Sequence, residues 1–221
     1  MGTSAPTTEN KTRELDAEAI WSWIVERGRA VTYVGGGVVV AVAIGVFWRE
    51  SVQRKNERAE AALATAQNAF YTGNSALAKS DLEKLIARYP GTSGGTQAAV
   101  LLAQILYGEG KHDDGINRLK EAASSAPTHF AASIEELMAS GYADSKRYPD
   151  AIDHLAKAAE KAPFPADKAI YRAEAARLMQ LSGKTDEARK MWQSLVDAPD
   201  SPVANEARVR LGELGAKVAA K

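Results

Sequence analysis

Four stretches of this sequence repeat one pattern at a nearly constant period. They read GNSALAKSDLEKLIARYP, GKHDDGINRLKEAASSAP, KRYPDAIDHLAKAAEKAP and GKTDEARKMWQSLVDAP. Each ends in proline, and the prolines at positions 90, 127, 163 and 199 are 37, 36 and 36 residues apart. Each turn is followed by a small residue (Ala78, Gly115, Ala151, Ala188) and, four positions later, by a large apolar one (Leu82, Leu119, Leu155, Trp192). A fixed period of this kind predicts an array of stacked structural units.

An amphipathic helix is predicted before each of these turns, with a small residue about seven positions ahead of the turn (Ala66, Ala103, Ala139, Ala176). Small residues let two helices approach closely, large ones fill the space beside them, and proline ends the second helix. Over residues 59–202 the pattern resembles the tetratricopeptide repeat (TPR). At the family's aromatic position early in the first helix, this chain instead has Ala62, Ala99, Glu135 and Arg172.

The resemblance implies an all-α fold, a TPR-like helical solenoid of about four repeats. The stretch SPVANEARVRLGELGAK, which follows the fourth repeat, is predicted to be a capping helix. Two prolines fall outside the repeating pattern. We expect Pro149 at the start of a helix and Pro165 in a loop.

Residues 30–48 form a stretch of 19 residues without a charged side chain. As an α-helix rising ~1.5 Å per residue it would span about 28 Å, close to the ~30 Å hydrocarbon thickness of a bilayer. The alternative is a cleaved signal peptide, which the Ala-Val-Ala sequence at residues 41–43 favours. However, 29 residues precede the stretch, and the apolar run continues past this sequence to Trp48. We therefore predict an uncleaved transmembrane helix.

This helix divides the chain into four predicted segments. Residues 1–29 are a tail with a short amphipathic helix at the membrane surface, for which an ordinary aromatic belt is the alternative. Residues 30–48 are the transmembrane helix, residues 49–58 a helical linker and residues 59–221 the TPR-like domain. Because no proline or glycine interrupts residues 46–72, we expect one helix from about Ala30 to about Tyr71.

Composition and motifs argue against catalysis and against nucleic-acid binding. The 28 basic residues balance the 28 acidic ones, so no basic patch for nucleic acid is indicated. The absence of cysteine excludes disulfides, thiolate catalysis and Cys-ligated zinc. The SGKT sequence at residues 182–185 lacks the leading glycine of a phosphate loop, because Leu178 stands at that position. His112, His129 and His154 match no metal motif. We expect no enzyme activity, catalytic residue, cofactor, metal or small-molecule substrate.

The remaining candidate site is the concave face that the first helices of TPR repeats form. The family's groove positions correspond to residues in all four repeats: Leu63, Gln67, Phe70, Tyr71, Val100, Gln104, Tyr107, Glu136, Ser140, Arg177 and Gln180. The aromatic and amide side chains suit unfolded or weakly specific apolar segments, and there is no Lys or Arg cluster to bind a C-terminal carboxylate. The alternative for each residue is packing between repeats.

Gly37, Ala41 and Gly45 are spaced by four, so they line one side of the predicted membrane helix. Small residues at this spacing allow another membrane helix to approach closely. We expect this face to pack against a partner's membrane helix. The alternative is a plain anchor, since Gly and Ala are common in membrane helices.

One membrane helix followed directly by TPR-like repeats resembles the YfgM-like family of ancillary SecYEG translocon subunits. The resemblance lies in WIVERGRAVTYVGGGVVVAVAIGVFWRES and in GKTDEARKMWQSLVDAPDSPVANEARVRLGEL. It implies a single-pass protein of the bacterial inner membrane, with the N-terminus cytoplasmic and the TPR domain periplasmic. It also implies binding to translocon subunits, periplasmic chaperones or nascent chains. Basic residues are balanced across the helix, so charge does not decide the orientation. The alternative is a scaffold subunit of another bacterial membrane complex.

Overall fold

A computed structural model describes residues 28–198 and 201–219, and these are all-α, with no strand among them. In chain order the elements are α1 (Gly28–Tyr71), α2 (Ser75–Arg88), α3 (Ser93–Gly108), α4 (His112–Ala123), a short 3-10 helix (Thr128–Phe130), α5 (Ala131–Asp144), α6 (Tyr148–Lys161), α7 (Pro165–Leu181), α8 (Thr185–Asp197) and α9 (Ala204–Ala219). The predicted fold class is confirmed.

The chain divides into two compact units, Met1–Gln53 and Arg54–Lys221. The division falls inside the stretch predicted to be the linker, residues 49–58. Helix α1 covers this stretch without a break, so the single helix expected from about Ala30 to about Tyr71 is present. Residues 1–27, which include most of the predicted surface helix, lie outside the described residues.

Within the first unit, the apolar part of α1 is exposed on every side. Val40, Phe47 and Trp48 are 58%, 74% and 74% exposed. A Cβ atom added at Gly37 or Gly45 would have no neighbour within 4 Å. The stretch Gly36–Tyr71 is the one described helix segment that is long and apolar enough to cross a membrane.

Within the second unit, helices α2 to α9 each contact the next helix along the chain. The end of α1 joins this array through Leu63 and Ala66, which share a core with Leu82 and Leu102. Two further cores follow, one around α4 to α6 and one around α7 to α9. The unit is thus a row of helix pairs, and α9 packs on the last pair as the predicted capping helix.

The small and large positions of the sequence repeat form these cores. All the small positions are buried, both after the turns (Ala78, Gly115, Ala151, Ala188) and before them (Ala66, Ala103, Ala139, Ala176). The large positions are no more than 2% exposed (Leu82, Leu119, Leu155, Trp192). Small residues therefore do permit the close helix approach that the pattern predicts.

The turn inside each repeat has the same hydrogen bonds. The N–H groups of Asn74, Lys111, Arg147 and Lys184 donate to carbonyls five residues earlier, at 2.8–2.9 Å. This Schellman motif needs a left-handed residue just before the donor. Glycine occupies that position in three repeats (Gly73, Gly110 and Gly183, φ 76–81°), whereas the third repeat has Lys146 with φ 59°.

Three of the four repeat prolines, at positions 90, 127 and 163, follow the ends of α2, α4 and α6 as predicted. The fourth, Pro199, lies outside the described residues. Pro149 is in the first turn of α6, as expected. The placement of Pro165 in a loop is wrong, since it is the first residue of α7. Proline suits that position because the first N–H of a helix has no intrahelical partner.

Candidate protein-binding groove

An open cavity of about 430 Å³ lies along the first helices of the second, third and fourth repeats. Helices α3, α5 and α7 supply its walls, and Leu155 of α6 reaches it from behind. Its lining is Val100, Gln104, Ser133, Glu136, Leu137, Ala139, Ser140, Ala143, Asp144, Glu174 and Leu178, with Leu155. A volume within the usual ~300–1,000 Å³ of ligand pockets holds a few side chains rather than a folded surface.

Helical spacing explains why these side chains share one face. On α5 the lining residues recur three and four positions apart, so they form a stripe along the helix. Val100 and Gln104 on α3 are also four apart, as are Glu174 and Leu178 on α7. The opposite face of each helix carries buried core residues, namely Leu102 of α3, Met138 of α5 and Ala176 of α7, which fixes the orientation of the stripe.

This cavity forms the groove of the chain, and its lining is acidic. The pKa of Glu136 is raised mainly by burial and also by the nearby Glu174 carboxylate. A hydrogen bond from the Tyr171 hydroxyl opposes this rise. Burial and the charge of Glu136 also raise the pKa of Tyr171 to about 12, so this hydroxyl stays protonated and donates. Asp144 is the third carboxylate at the groove. Mutual repulsion between such groups makes an approaching cation favourable.

Four of the predicted groove residues meet in this cavity: Val100, Gln104, Glu136 and Ser140. The predicted residues of the first repeat do not line it. Leu63 is only 3% exposed and belongs to the core between α1, α2 and α3, so its assignment to an open groove is corrected. Phe70 packs against the same core, Gln67 is half-buried, and Tyr71 is 80% exposed at the end of α1.

Tyr107 connects two repeats instead of facing the groove. Its hydroxyl donates to the Leu137 carbonyl at 3.1 Å. Its ring takes the space that side chains at Gly115 and Gly141 would need, since added Cβ atoms would lie 2.4 and 2.5 Å from it. Burial raises the pKa of the hydroxyl above its ordinary range, so it remains a donor. The alternative of packing between repeats therefore describes Tyr107.

Arg177 and Gln180 also make structural contacts. The Arg177 Nε and Nη2 donate to the two carboxylate oxygens of Glu206, at 2.8 and 2.6 Å, and so attach α9 to α7. The indole N–H of Trp192 donates to Gln180 Oε1 at 3.1 Å, which satisfies the polar group of a fully buried tryptophan. Neither residue lines the described cavity.

Several lining residues were not predicted, including Leu137, Asp144, Glu174 and Leu178. A signal for two of them exists in the sequence. Asp144 lies four positions after Ser140, and Glu174 lies three before Arg177, so helical spacing alone extends the stripe to them. Leu155 gives no such signal, because its place in the repeat indicates only core packing.

Glu135, which takes a position where TPR proteins have an aromatic residue, is buried in an ion-pair cluster. It is 6% exposed and contacts His154 Nδ1 at 2.7 Å and the Lys161 ammonium. Burial opposes its ionisation, but the hydrogen bonds from Lys161 and His154 outweigh this and lower the pKa of Glu135. The His154 ring stacks on Tyr142, with centroids 5.1 Å apart. The cluster joins α5 to α6 behind the groove.

Within residues 28–198 and 201–219, no cluster of three or more His, Asp or Glu side chains could hold a metal ion. Ser182 and Gly183 belong to the turn between α7 and α8, with Gly183 at φ 80°. The SGKT sequence therefore serves the repeat turn.

The profile of the tetratricopeptide repeat-like domain matches residues 21–216. The chain belongs to this family. No curated protein sequence matches it. Among solved structures, nearly identical TPR-like repeats of a putative kinesin light chain from Podosopora anserina superpose with a TM-score of 0.54 at 15% identity, covering 72% of this chain and 86% of that one. The MamA protein gives 0.51 at 17% identity, covering 72% and 86%.

Identities this low show a shared fold and no more. The TPR-like fold is typical of non-enzymatic modules that bind other proteins, and the TPR domain here indicates a protein–protein interaction scaffold. The acidic cavity lies on α3, α5 and α7, the first helices of three successive repeats.

Proposed function

We propose that this chain is a non-catalytic, membrane-anchored interaction module that assists the SecYEG translocon. In this proposal, α1 crosses the bacterial inner membrane once, with the N-terminus in the cytoplasm and the TPR domain in the periplasm. The groove binds emerging polypeptides or periplasmic chaperones and brings the two together. The observation that carries the proposal is the open groove, whose apolar and polar lining can contact extended chain segments.

The anchor is supported by the exposure of α1. A core helix of a water-soluble protein is largely covered, whereas none of the apolar stretch of α1 is buried among the described residues. An exposed apolar surface of this length needs lipid or a partner to cover it. Tyr33 near one end and Phe47 with Trp48 at the other fit the two interfaces of a bilayer.

The assignment to the translocon is supported by the resemblance of the anchor region and the last repeat to the YfgM-like family. We also propose that Gly37, Ala41 and Gly45 form the face of α1 that packs against a translocon membrane helix. Gly37 and Gly45 have open space where their side chains would be. A second helix could therefore approach the α1 backbone on this side.

Purification of the full chain in mild detergent tests the assignment. Translocon subunits should be recovered with the wild-type protein, and the Gly37→Leu/Gly45→Leu variant should insert normally but recover less of them. Gly36→Leu is the matched control. It makes the same change at an equally open position about 100° around the helix from Gly37, and recovery should be unchanged.

Recovery of a stoichiometric, salt-resistant complex without translocon subunits would refute this assignment and favour the scaffold alternative. Equal recovery by the Leu variants and the control would show that the small-residue face is not used. Orientation is tested with single cysteines, because the chain has none of its own. An impermeant maleimide added outside spheroplasts should label Ser194→Cys and not Ser4→Cys. The reverse result would place the TPR domain in the cytoplasm.

A further inference from the structure

The TPR groove concentrates negative charge on an apolar floor. Glu136 and Asp144 of α5 and Glu174 of α7 line it, and no Lys or Arg side chain does. The whole chain, by contrast, has a formal net charge of zero. The groove therefore differs in charge from the average surface of the molecule, and a ligand will experience this local field first.

The neighbouring polar groups compensate these carboxylates only in part. The Tyr171 hydroxyl donates to Glu136 but is neutral. His112 Nδ1 is 4.0 Å from the nearer Asp144 oxygen, which is beyond hydrogen-bond distance. Arg177 interacts electrostatically with Glu174, but its hydrogen bonds go to Glu206. Each carboxylate thus keeps acceptor capacity for a cationic donor.

Between the carboxylates, the groove is apolar. Leu137 and Leu178 are half-buried, Val100 packs against the same core, and Leu155 is 2% exposed behind them. These side chains offer contacts for aliphatic groups a few ångströms from the carboxylates. A ligand that fits both parts needs apolar side chains of moderate size with positive charges close to them on the same segment.

We propose that the groove selects unfolded polypeptide segments in which Lys or Arg alternate with aliphatic side chains. The aliphatic groups would lie on the floor formed by Leu137 and Leu178, and the cations would pair with Glu136, Asp144 and Glu174. Acidic segments are rejected, because a carboxylate entering this site meets like charges and no Lys or Arg side chain in the lining. This inference rests on the proposed function and specifies the partner of the same groove.

Fluorescence anisotropy with the full chain in nanodiscs of neutral phosphatidylcholine tests the selectivity. The probes are three labelled peptides. The Lys peptide consists of Lys, Leu and Ala, and the Gln and Glu peptides have the same sequence with every Lys replaced by Gln or by Glu. The Lys peptide should bind best and the Glu peptide worst. The higher affinity of the Lys peptide should shrink at high salt, because the electrostatic screening length falls from ~10 Å at 0.1 M to ~3 Å at 1 M.

Variants place this preference in the groove. Glu136→Gln/Glu174→Gln should lower the affinity for the Lys peptide by about 3- to 10-fold, as expected for the loss of two partly exposed ion pairs. The affinity for the Gln peptide should be unchanged. Glu160→Gln/Glu187→Gln is the matched control. It removes two exposed carboxylates that do not line the groove and should leave every affinity unchanged.

Equal affinity for the three peptides, or equal weakening by the groove and control variants, would overturn the inference. Both results leave the proposed function standing if translocon subunits still co-purify with the wild-type chain. Conversely, loss of co-purification with an intact preference for the Lys peptide would refute the translocon assignment and leave the ligand class of the groove unchanged.

Discussion

A methyl group added at Gly141 should weaken the contact between the second and third repeats. The new Cβ would lie 2.5 Å from Cζ and Oη of Tyr107 and 2.9 Å from Cγ1 of Ile116, well inside normal contact distances. Tyr107 cannot easily move away, because its hydroxyl is bound to the Leu137 carbonyl. The ring is held by α3 and the new methyl by α5, so the two repeats would have to separate.

The expected magnitude follows from two opposing terms. Overpacking a core costs ~1–3 kcal/mol, whereas replacing glycine by alanine inside a helix gains ~0.5–1 kcal/mol. We expect Gly141→Ala to lower the free energy of unfolding by about 1–2 kcal/mol. Gly212→Ala in α9 is the matched control, because its Cβ meets nothing within 4 Å. It should be neutral or slightly stabilising.

The assay is urea unfolding of the full chain in detergent micelles, followed by far-UV circular dichroism. A double-mutant cycle identifies the clash, since the cost of Gly141→Ala should fall in a Tyr107→Leu background, where the ring is absent and only the contact with Ile116 Cγ1 remains. If Gly141→Ala stabilised the chain as much as Gly212→Ala, or cost the same without the Tyr107 ring, the described packing of Tyr107 would be wrong.

Three other predictions follow from particular residues. Lys146→Gly should stabilise the chain by about 0.5–1 kcal/mol, because glycine adopts the left-handed backbone conformation of this position without strain. Gly183→Ala should destabilise the chain for the converse reason, and urea unfolding measures both changes. A loss of stability in Lys146→Gly would contradict this prediction. The folded state lowers the pKa of Glu135, so its stabilisation is present above the unfolded pKa, ordinarily about 4.5, and is lost as pH falls through the folded pKa. Glu135→Gln should therefore reduce the loss of stability in acid, whereas Glu160→Gln should not, and equal acid profiles for both variants would refute this role. Arg177→Met should destabilise α9, which is measured as faster amide exchange in α9, and it should not weaken binding of the Lys peptide, because it removes a positive charge near Glu174. Weaker peptide binding without faster exchange in α9 would show that Arg177 contacts the peptide in the groove.

The helix pairs were predictable from sequence because packing in a repeat depends on residue size at a fixed position. Ala78, Gly115, Ala151 and Ala188 are small for one physical reason, and that reason recurs with the period. The exception was Pro165, whose loop assignment failed because proline is equally compatible with a loop and with the first turn of a helix.

The groove was only partly predictable. The groove positions implied by the TPR resemblance include Val100, Gln104, Glu136 and Ser140, which do line the cavity. The resemblance could not show which other candidates find partners on distant helices. Tyr107 contacts Leu137 and Arg177 contacts Glu206, 30 and 29 residues away. Such pairings depend on how successive repeats stack, which a pattern within one repeat does not contain.

Cross-linking from inside the groove tests the central claim most directly. Ser140→Cys, the sole cysteine of its chain, would carry a benzophenone into the groove, and Ser124→Cys would carry it to an exposed position outside the groove. Irradiation of native membranes should give polypeptide adducts from Ser140→Cys that Ser124→Cys does not give, with translocating chains, chaperones or translocon subunits among them. Absence of adducts at Ser140→Cys, or the same adducts from both positions, would contradict the account of this groove as a protein-binding site.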